Sequence, residues 1–285
     1  MRKNIIISMI FIVGLITTVL PQCFSIKTVK ATDFAEVYAP NYLYEGENAT
    51  EITLTCQVTD FIESCLETRG YYTFGCYNSS ATVSGYTTLT YFCELNSQNG
   101  AAVFSKGHAS KGSPSHELDH HFLMVQPVVN NQPDYLWDNI IYPNTGGVHH
   151  FVFLWHCDTA NDYSDDICST CGKAANFPYS WTKCDDMSTD GYYSTSGDYV
   201  FLGHINYSHE FLDPTGYEQY HYGYFCAVIV QYLSYGYPVN TALDFATQAA
   251  FNEDVFTDIP LYYGEEINGT TCCRLAVLGN GNMTL

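Results

Sequence analysis

Apolar residues along this chain fall into two kinds of run. Ala101–Ser105 (AAVFS), His150–Trp155 (HFVFLW), Tyr199–Leu202 (YVFL) and Arg274–Leu278 (RLAVL) are short, almost continuously apolar and bounded by turn-forming residues. That is the pattern of strands covered on both faces. Lys106-Gly107 closes the first run and Gly203 the third. Between the third and fourth the period lengthens. Tyr217–Tyr235 carries Phe225, Val228, Ile229, Tyr232 and Leu233 at helical spacing, and Val239–Phe251 sets Ala242, Leu243, Ala246 and Ala250 on one face after Pro238. Buried strands separated by helices predict an α/β fold with a mainly parallel central sheet and helices on both faces. Ligands bind such sheets beyond the carboxyl ends of the strands, so the residues following each strand are the ones to inspect.

The amino-terminal segment has a different pattern. Arg2 and Lys3 precede an apolar run from Ile5 to Leu20, Pro21 ends it, and Val29-Lys30-Ala31 offers the small residues of a signal-peptidase site. This order reads as a secretory signal over 1–31, cleaved after Ala31, with a retained anchor as the alternative. No later segment is apolar enough to span a bilayer. Residues 32–85, rich in Cys, Thr, Tyr and Gly, read as a disulfide-tied N-terminal part, and 86–285 as the α/β domain.

Charge narrows the partners. Four of the ten basic residues lie in the first 31 and none of the thirty acidic ones does, so the remainder carries six basic against thirty acidic residues. Such a surface repels phosphate backbones and excludes nucleic acid as a natural partner. It suits a basic substrate or divalent cations, or serves only to keep an exported protein soluble and monomeric. No EF-hand-type calcium loop is present. Of the twelve cysteines Cys23 leaves with the signal, and the remaining number is odd. An oxidising compartment favours pairing, with Cys56–Cys65 and Cys76–Cys93 as local candidates, and at least one thiol left over. Cys168, Cys171 and Cys184 form a further cluster, able to pair or to bind zinc but lacking an obvious fourth ligand. Sequons at Asn48, Asn78, Asn206, Asn268 and Asn282 are compatible with a glycoprotein.

Two strand ends carry reactive side chains. AAVFS is followed by Lys106-Gly107-His108, and HFVFLW by His156-Cys157-Asp158-Thr159-Ala160. If the strands are parallel neighbours, His108 and Cys157 emerge at one edge. There an imidazole can stabilise a thiolate nucleophile and then protonate a departing amine. The alternative for Cys157 is a disulfide, which would leave Cys226, on its apolar helix, as the buried inert thiol.

An apolar strand ending in Gly-His followed by an apolar strand ending in Cys resembles the caspase-like cysteine peptidases, which include caspases, legumains, gingipains and separases. The spacing of forty-nine from His108 to Cys157 matches the roughly 50 of caspases. Cys157-Asp158-Thr159-Ala160 looks most like the legumain and separase branches, and RLAVLGNGNMTL is similar to the last strand and loop of gingipain-like domains. The resemblance covers about residues 85–285. It implies a caspase-like three-layer sandwich, here disulfide-reinforced, and a secreted endopeptidase acting on polypeptides without a cofactor. His108 would be the general acid/base and Cys157 the nucleophile, with backbone N–H groups of Cys157 and Ala109 forming the oxyanion hole. The family usually has Gly where this chain has Ala109, so a scaffold that binds without catalysis is the second reading.

Two further groups complete the inventory. His116-Glu117-x-x-His120 matches the zinc-protease pattern, which requires a helix, yet it follows the breaker-rich Lys111-Gly112-Ser113-Pro114. The other consists of Asp158, His204, Asn206, Ser208 and His209, together with Glu210 and Asp213. They lie near strand ends and are expected to line a substrate pocket, whose carboxylates would favour a basic side chain.

Overall fold

The computed structural model describes residues 33–40, 49–112, 118–129, 132–160, 167–184, 197–208, 219–251, 266–267, 270–271 and 273–285. These belong to one compact unit, Thr32–Leu285. Residues 1–31, read above as a secretory signal, and His116, Glu117, His209, Glu210, Asp213, Asn48 and Asn268 lie outside them. In chain order the strands are β1 (Asp33–Ala39), β2 (Tyr71–Tyr77), β3 (Ala101–Lys106), β4 (Ala109–Gly112), β5 (His120–Val129), β6 (Gln132–Trp137), β7 (His149–Trp155), β8 (Ile167–Cys168), β9 (Lys173–Ala174), β10 (Val200–Asn206), β11 (Glu266–Ile267), β12 (Thr270–Thr271) and β13 (Cys273–Gly279). The helices are α1 (Ala49–Arg69), α2 (Val83–Asn96), α3 (Asp138–Ile141), α4 (Phe177–Thr182), α5 (Gln219–Ser234) and α6 (Val239–Phe251). Among the described residues no helix is long and apolar enough to cross a membrane.

Six strands form the central sheet in the order β13-β10-β7-β3-β1-β2. All neighbours are parallel except β10 and β13. The α/β class with a mainly parallel sheet is therefore as expected, and the four apolar runs are β3, β7, β10 and β13. The order also accounts for the layers. Right-handed crossovers place a helix on one face when the chain moves one way along the sheet and on the other face when it reverses. The chain steps from β1 outward to β2, then back across β1 to β3. Accordingly α1 packs with α5 and α6 on one face, while α2, α3 and α4 pack together on the other.

Residues 32–85 supply β1, α1 and β2, one interior and one edge strand of the central sheet. Cys56 and Cys65 both lie on α1, nine residues apart, which puts them ~13.5 Å apart along the axis. No disulfide can span that distance. Cys76 and Cys93 are buried, unbridged thiols, both pushed up in pKa first by desolvation. Cys226 is likewise buried, unbridged and pushed up by burial.

On the α2 face, Tyr38, Val103, Val152, Leu154 and Phe201 meet Tyr86, Phe177 and Trp181. Thr82 caps α2 by accepting the Gly85 N–H at 3.0 Å, and Asn176 caps α4 by accepting the Tyr179 N–H at 2.8 Å. On the opposite face Phe104 meets Phe153 edge-on, and Trp155 packs against Tyr222.

Inside the α2 face lies a buried ionic cluster. His149, opening β7, places Nε2 2.9 Å from Glu36 Oε1 and Nδ1 3.0 Å from Glu94 Oε2. Tyr38 Oη and, at 3.0 Å, Thr90 Oγ1 donate to Glu36 Oε2. Desolvation opposes a charge on His149, but its hydrogen bonds to Glu36 and Glu94 raise its pKa above the ordinary 6.5. Burial also opposes a charge on Glu94, yet hydrogen bonds from His149, Gly146 and Val148 hold its carboxyl below the ordinary 4.5. With both nitrogens facing carboxylates, the ring is an imidazolium.

The sign of the pH dependence follows. The raised His149 contributes stability that is full below about pH 6.5 and is lost as pH rises through its folded value, while the lowered Glu94 contributes above about pH 4.5 and is lost on acidification. Glu36→Gln should cost about 3–5 kcal/mol, since it leaves a buried charge with half its compensation. It should also reduce the alkaline loss of stability. Urea unfolding of both proteins across pH 4 to 9 checks both effects.

Candidate functional site

β1, β2, β3, β7 and β10 all point the same way, so their carboxyl ends share one edge. The order turns between β1 and β3, the place where a crevice opens in sheets of this kind. A hollow there is lined by Ala39, Pro40, Ile52, Thr55, Cys56, Asn78, Lys106 and Gly107. Lys106 is buried, its Nζ 5.1 Å from the Trp155 ring centre.

Beside this hollow lie His108 and Cys157. β3 and β7 pair with Lys106 opposite Trp155, so each candidate residue stands two positions beyond the same rung. The ladder continues past the strand ends, as the Gly107 N–H donates to Trp155 O at 3.2 Å. His108 and Cys157 are both half-buried, and Cys157 is an unbridged thiol. The predicted emergence at one edge is what the register produces.

The turn carrying Cys157 is tied to the end of β10. Asp158 is left-handed (φ 54°), its N–H donates to Asn206 O at 2.6 Å, and the Ala160 N–H donates to His204 O at 3.0 Å. Gly203 permits this close approach, because a Cβ there would stand 2.8 Å from Thr159 Oγ1. Ser208 directs its N–H at Cys157 Sγ from 3.3 Å, with its Oγ 3.5 Å away.

A buried relay positions His108 from behind. His156 Nδ1 is 3.2 Å from His108 O and its Nε2 is 2.7 Å from Ser105 Oγ, which lies 2.9 Å from Tyr86 Oη. Burial pushes His156 well below its ordinary pKa, so the ring is neutral. A carbonyl can only accept, so Nδ1 donates to His108, Nε2 accepts from Ser105, and Ser105 accepts from Tyr86. His156 faces away from Cys157, as alternation along a strand requires. The sequence signalled only that orientation; the relay depends on α2, seventy residues earlier in the chain.

Other predicted residues are distributed unevenly. Asp158, Asn206 and Ser208 gather around Cys157. His204 does not line a pocket: it is fully buried in β10, Nε2 2.7 Å from Tyr222 Oη and Nδ1 3.4 Å from Leu154 O. Ala109 begins β4 with its side chain in the core cluster. Met124 N–H donates to His108 O, so His108 and Met124 form a bonded pair and the Ala109 N–H points away from β5. His120 opens strand β5 rather than lying on a helix, which removes the geometry that the zinc-protease pattern needs at that end.

No protein-family model and no curated protein sequence matches the chain. Among solved structures it is similar to caspase-1 from Spodoptera frugiperda, at 11% identity and TM-score 0.40, over 88% of this chain and 87% of that one. It is also similar to a Geobacter sulfurreducens protein solved as a structural-genomics target, at 12% identity and TM-score 0.36, over 61% of this chain and 72% of that one. The fold described above stands on its own strand order and register.

Ser105→Ala would leave His156 Nε2 and Tyr86 Oη without their shared partner inside the core. The expected loss is about 1–3 kcal/mol, read by chemical denaturation. Ser105→Thr, which keeps the hydroxyl, should recover part of it.

Proposed function

We propose that this protein is an exported, caspase-like cysteine peptidase in which Cys157 is the nucleophile and His108 the general acid/base. The observation that carries this reading is the β3–β7 register, which brings an imidazole and an unbridged thiol out of adjacent parallel strands at the carboxyl edge. The Cys157 thiolate attacks the scissile carbonyl carbon, and the resulting oxyanion is met by the backbone N–H groups of Ala109 and Cys157. His108 passes its proton to the departing amine, leaving a thioester on Cys157. Water then attacks the thioester, His108 accepts its proton, and the carboxylic acid leaves as the thiolate returns. The buried methyl of Ala109 and the direction of its N–H are compatible with an open oxyanion hole despite the departure from Gly. Polypeptide is the substrate class, and the acidic surface favours basic segments.

Iodoacetamide labelling of the folded protein, mapped by mass spectrometry, should modify Cys157, and an electrophilic peptide should protect it. Cys157→Ala should abolish cleavage of a peptide library, and His108→Ala should lower turnover about 10²–10⁴-fold. A Cys157 that neither labels nor supports cleavage would instead mark a binding scaffold.

A further inference from the structure

We propose that His120, Cys168 and Cys171 form a zinc site that clips the β8–β9 hairpin to the sheet of β4, β5 and β6. The ligand atoms of these three residues all lie within 4.8 Å of one another. Cys171 Sγ and His120 Nε2 are 3.7 Å apart. Tetrahedral zinc with Zn–S near 2.3 Å and Zn–N near 2.0–2.1 Å requires about 3.6 Å between a sulfur and a nitrogen ligand. That sulfur–nitrogen pair is already at ligand spacing.

Each ligand is also prepared. Cys168-Ser169-Thr170-Cys171-Gly172 makes a tight turn in which the Gly172 N–H donates to Cys168 O at 2.7 Å, with Gly172 at φ 67°. Backbone N–H groups of Thr170 and Cys171 hydrogen-bond the Cys168 sulfur. His120 is oriented from its far side: Nδ1 lies 2.5 Å from Asp138 Oδ1. Asp138 is fully buried and held by the backbone N–H groups of His121 and Asn139, at 2.8 and 2.5 Å. A carboxylate on Nδ1 fixes the tautomer that leaves the Nε2 lone pair for a metal, an arrangement common to zinc-bound histidines. His120 and Cys168 are buried and Cys171 is half-buried, so entry is from the Cys171 side. Two thiolates with an imidazole select zinc over magnesium or calcium.

The position gives such a site a purpose. β4 and β5 follow His108, and the β8–β9 hairpin follows Cys157. A metal bound here ties together the two excursions that begin at the two proposed catalytic residues, without touching either. The proposal stands independently of the peptidase reading.

The competing chemistry is a Cys168–Cys171 disulfide. Full-length protein produced with zinc and dialysed should contain one zinc per chain by elemental analysis. His120→Ala and Cys168→Ser should each abolish it, while Cys157→Ser should retain it in full. Cobalt exchanged into the unaltered protein should show thiolate-to-metal charge transfer and tetrahedral d–d bands, a readout that does not depend on the variants folding. A zinc-free unaltered protein, or a Cys168–Cys171 disulfide in its non-reduced digest, would overturn the proposal.

Discussion

Between β1, β7 and α2 an imidazolium is held with each nitrogen on a different carboxylate, the buried Glu36 and the partly buried Glu94. Desolvating these groups is expensive, and the arrangement returns that cost only while every partner is in place. Glu36 belongs to β1, His149 to β7 and Glu94 to α2, so the cluster fixes a helix over two strands that do not pair with each other. From that placement Tyr86 reaches Ser105, Ser105 reaches His156, and His156 holds the carbonyl of His108. A polar chain therefore runs from the charged interior of one face to the edge where His108 and Cys157 emerge. Its neutral half begins where its ionic half has already set the helix.

Much of this fold was legible in the pattern of apolar residues. β3, β7 and β10 announce themselves because strands buried on both faces need continuous hydrophobicity. Val239–Phe251 does so because its alanines and leucine repeat at helical spacing. β1, α1 and β2 were obscured for a physical reason. DFAEVYA contains a carboxylate that looks like a surface residue until His149, more than a hundred positions later, supplies its partner. α1 is rich in threonine and weakly amphipathic, and its two cysteines invited a covalent reading that helical rise excludes.

The site divides along similar lines. His108 and Cys157 could be read because each directly follows a recognisable strand, and strand direction does the rest. His204 misled because its strand continues past Gly203, taking the imidazole into the core, where Tyr222 from a distant helix satisfies it. The sequence offered Cys168 and Cys171 as zinc ligands together with Cys184, but not His120, which lies on a strand forty-eight residues before Cys168. Only the Cys-x-x-Cys turn was local. His120 was visible as part of a motif whose helical premise the extended backbone removes.

Among the described residues β1 is the first strand, and it is an interior strand of the sheet. Asp33, its first residue, accepts the backbone N–H groups of Gln98, Asn99 and Gly100 at 2.9, 2.7 and 3.3 Å, and so shapes the turn leading into β3. Proteolytic trimming that stops before Asp33 leaves the sheet intact, whereas trimming a few residues further removes the turn's anchor and begins to erode a strand with neighbours on both sides. Because β1 starts at the edge opposite His108 and Cys157, a ragged amino terminus would be felt first as lost folding yield rather than as altered chemistry.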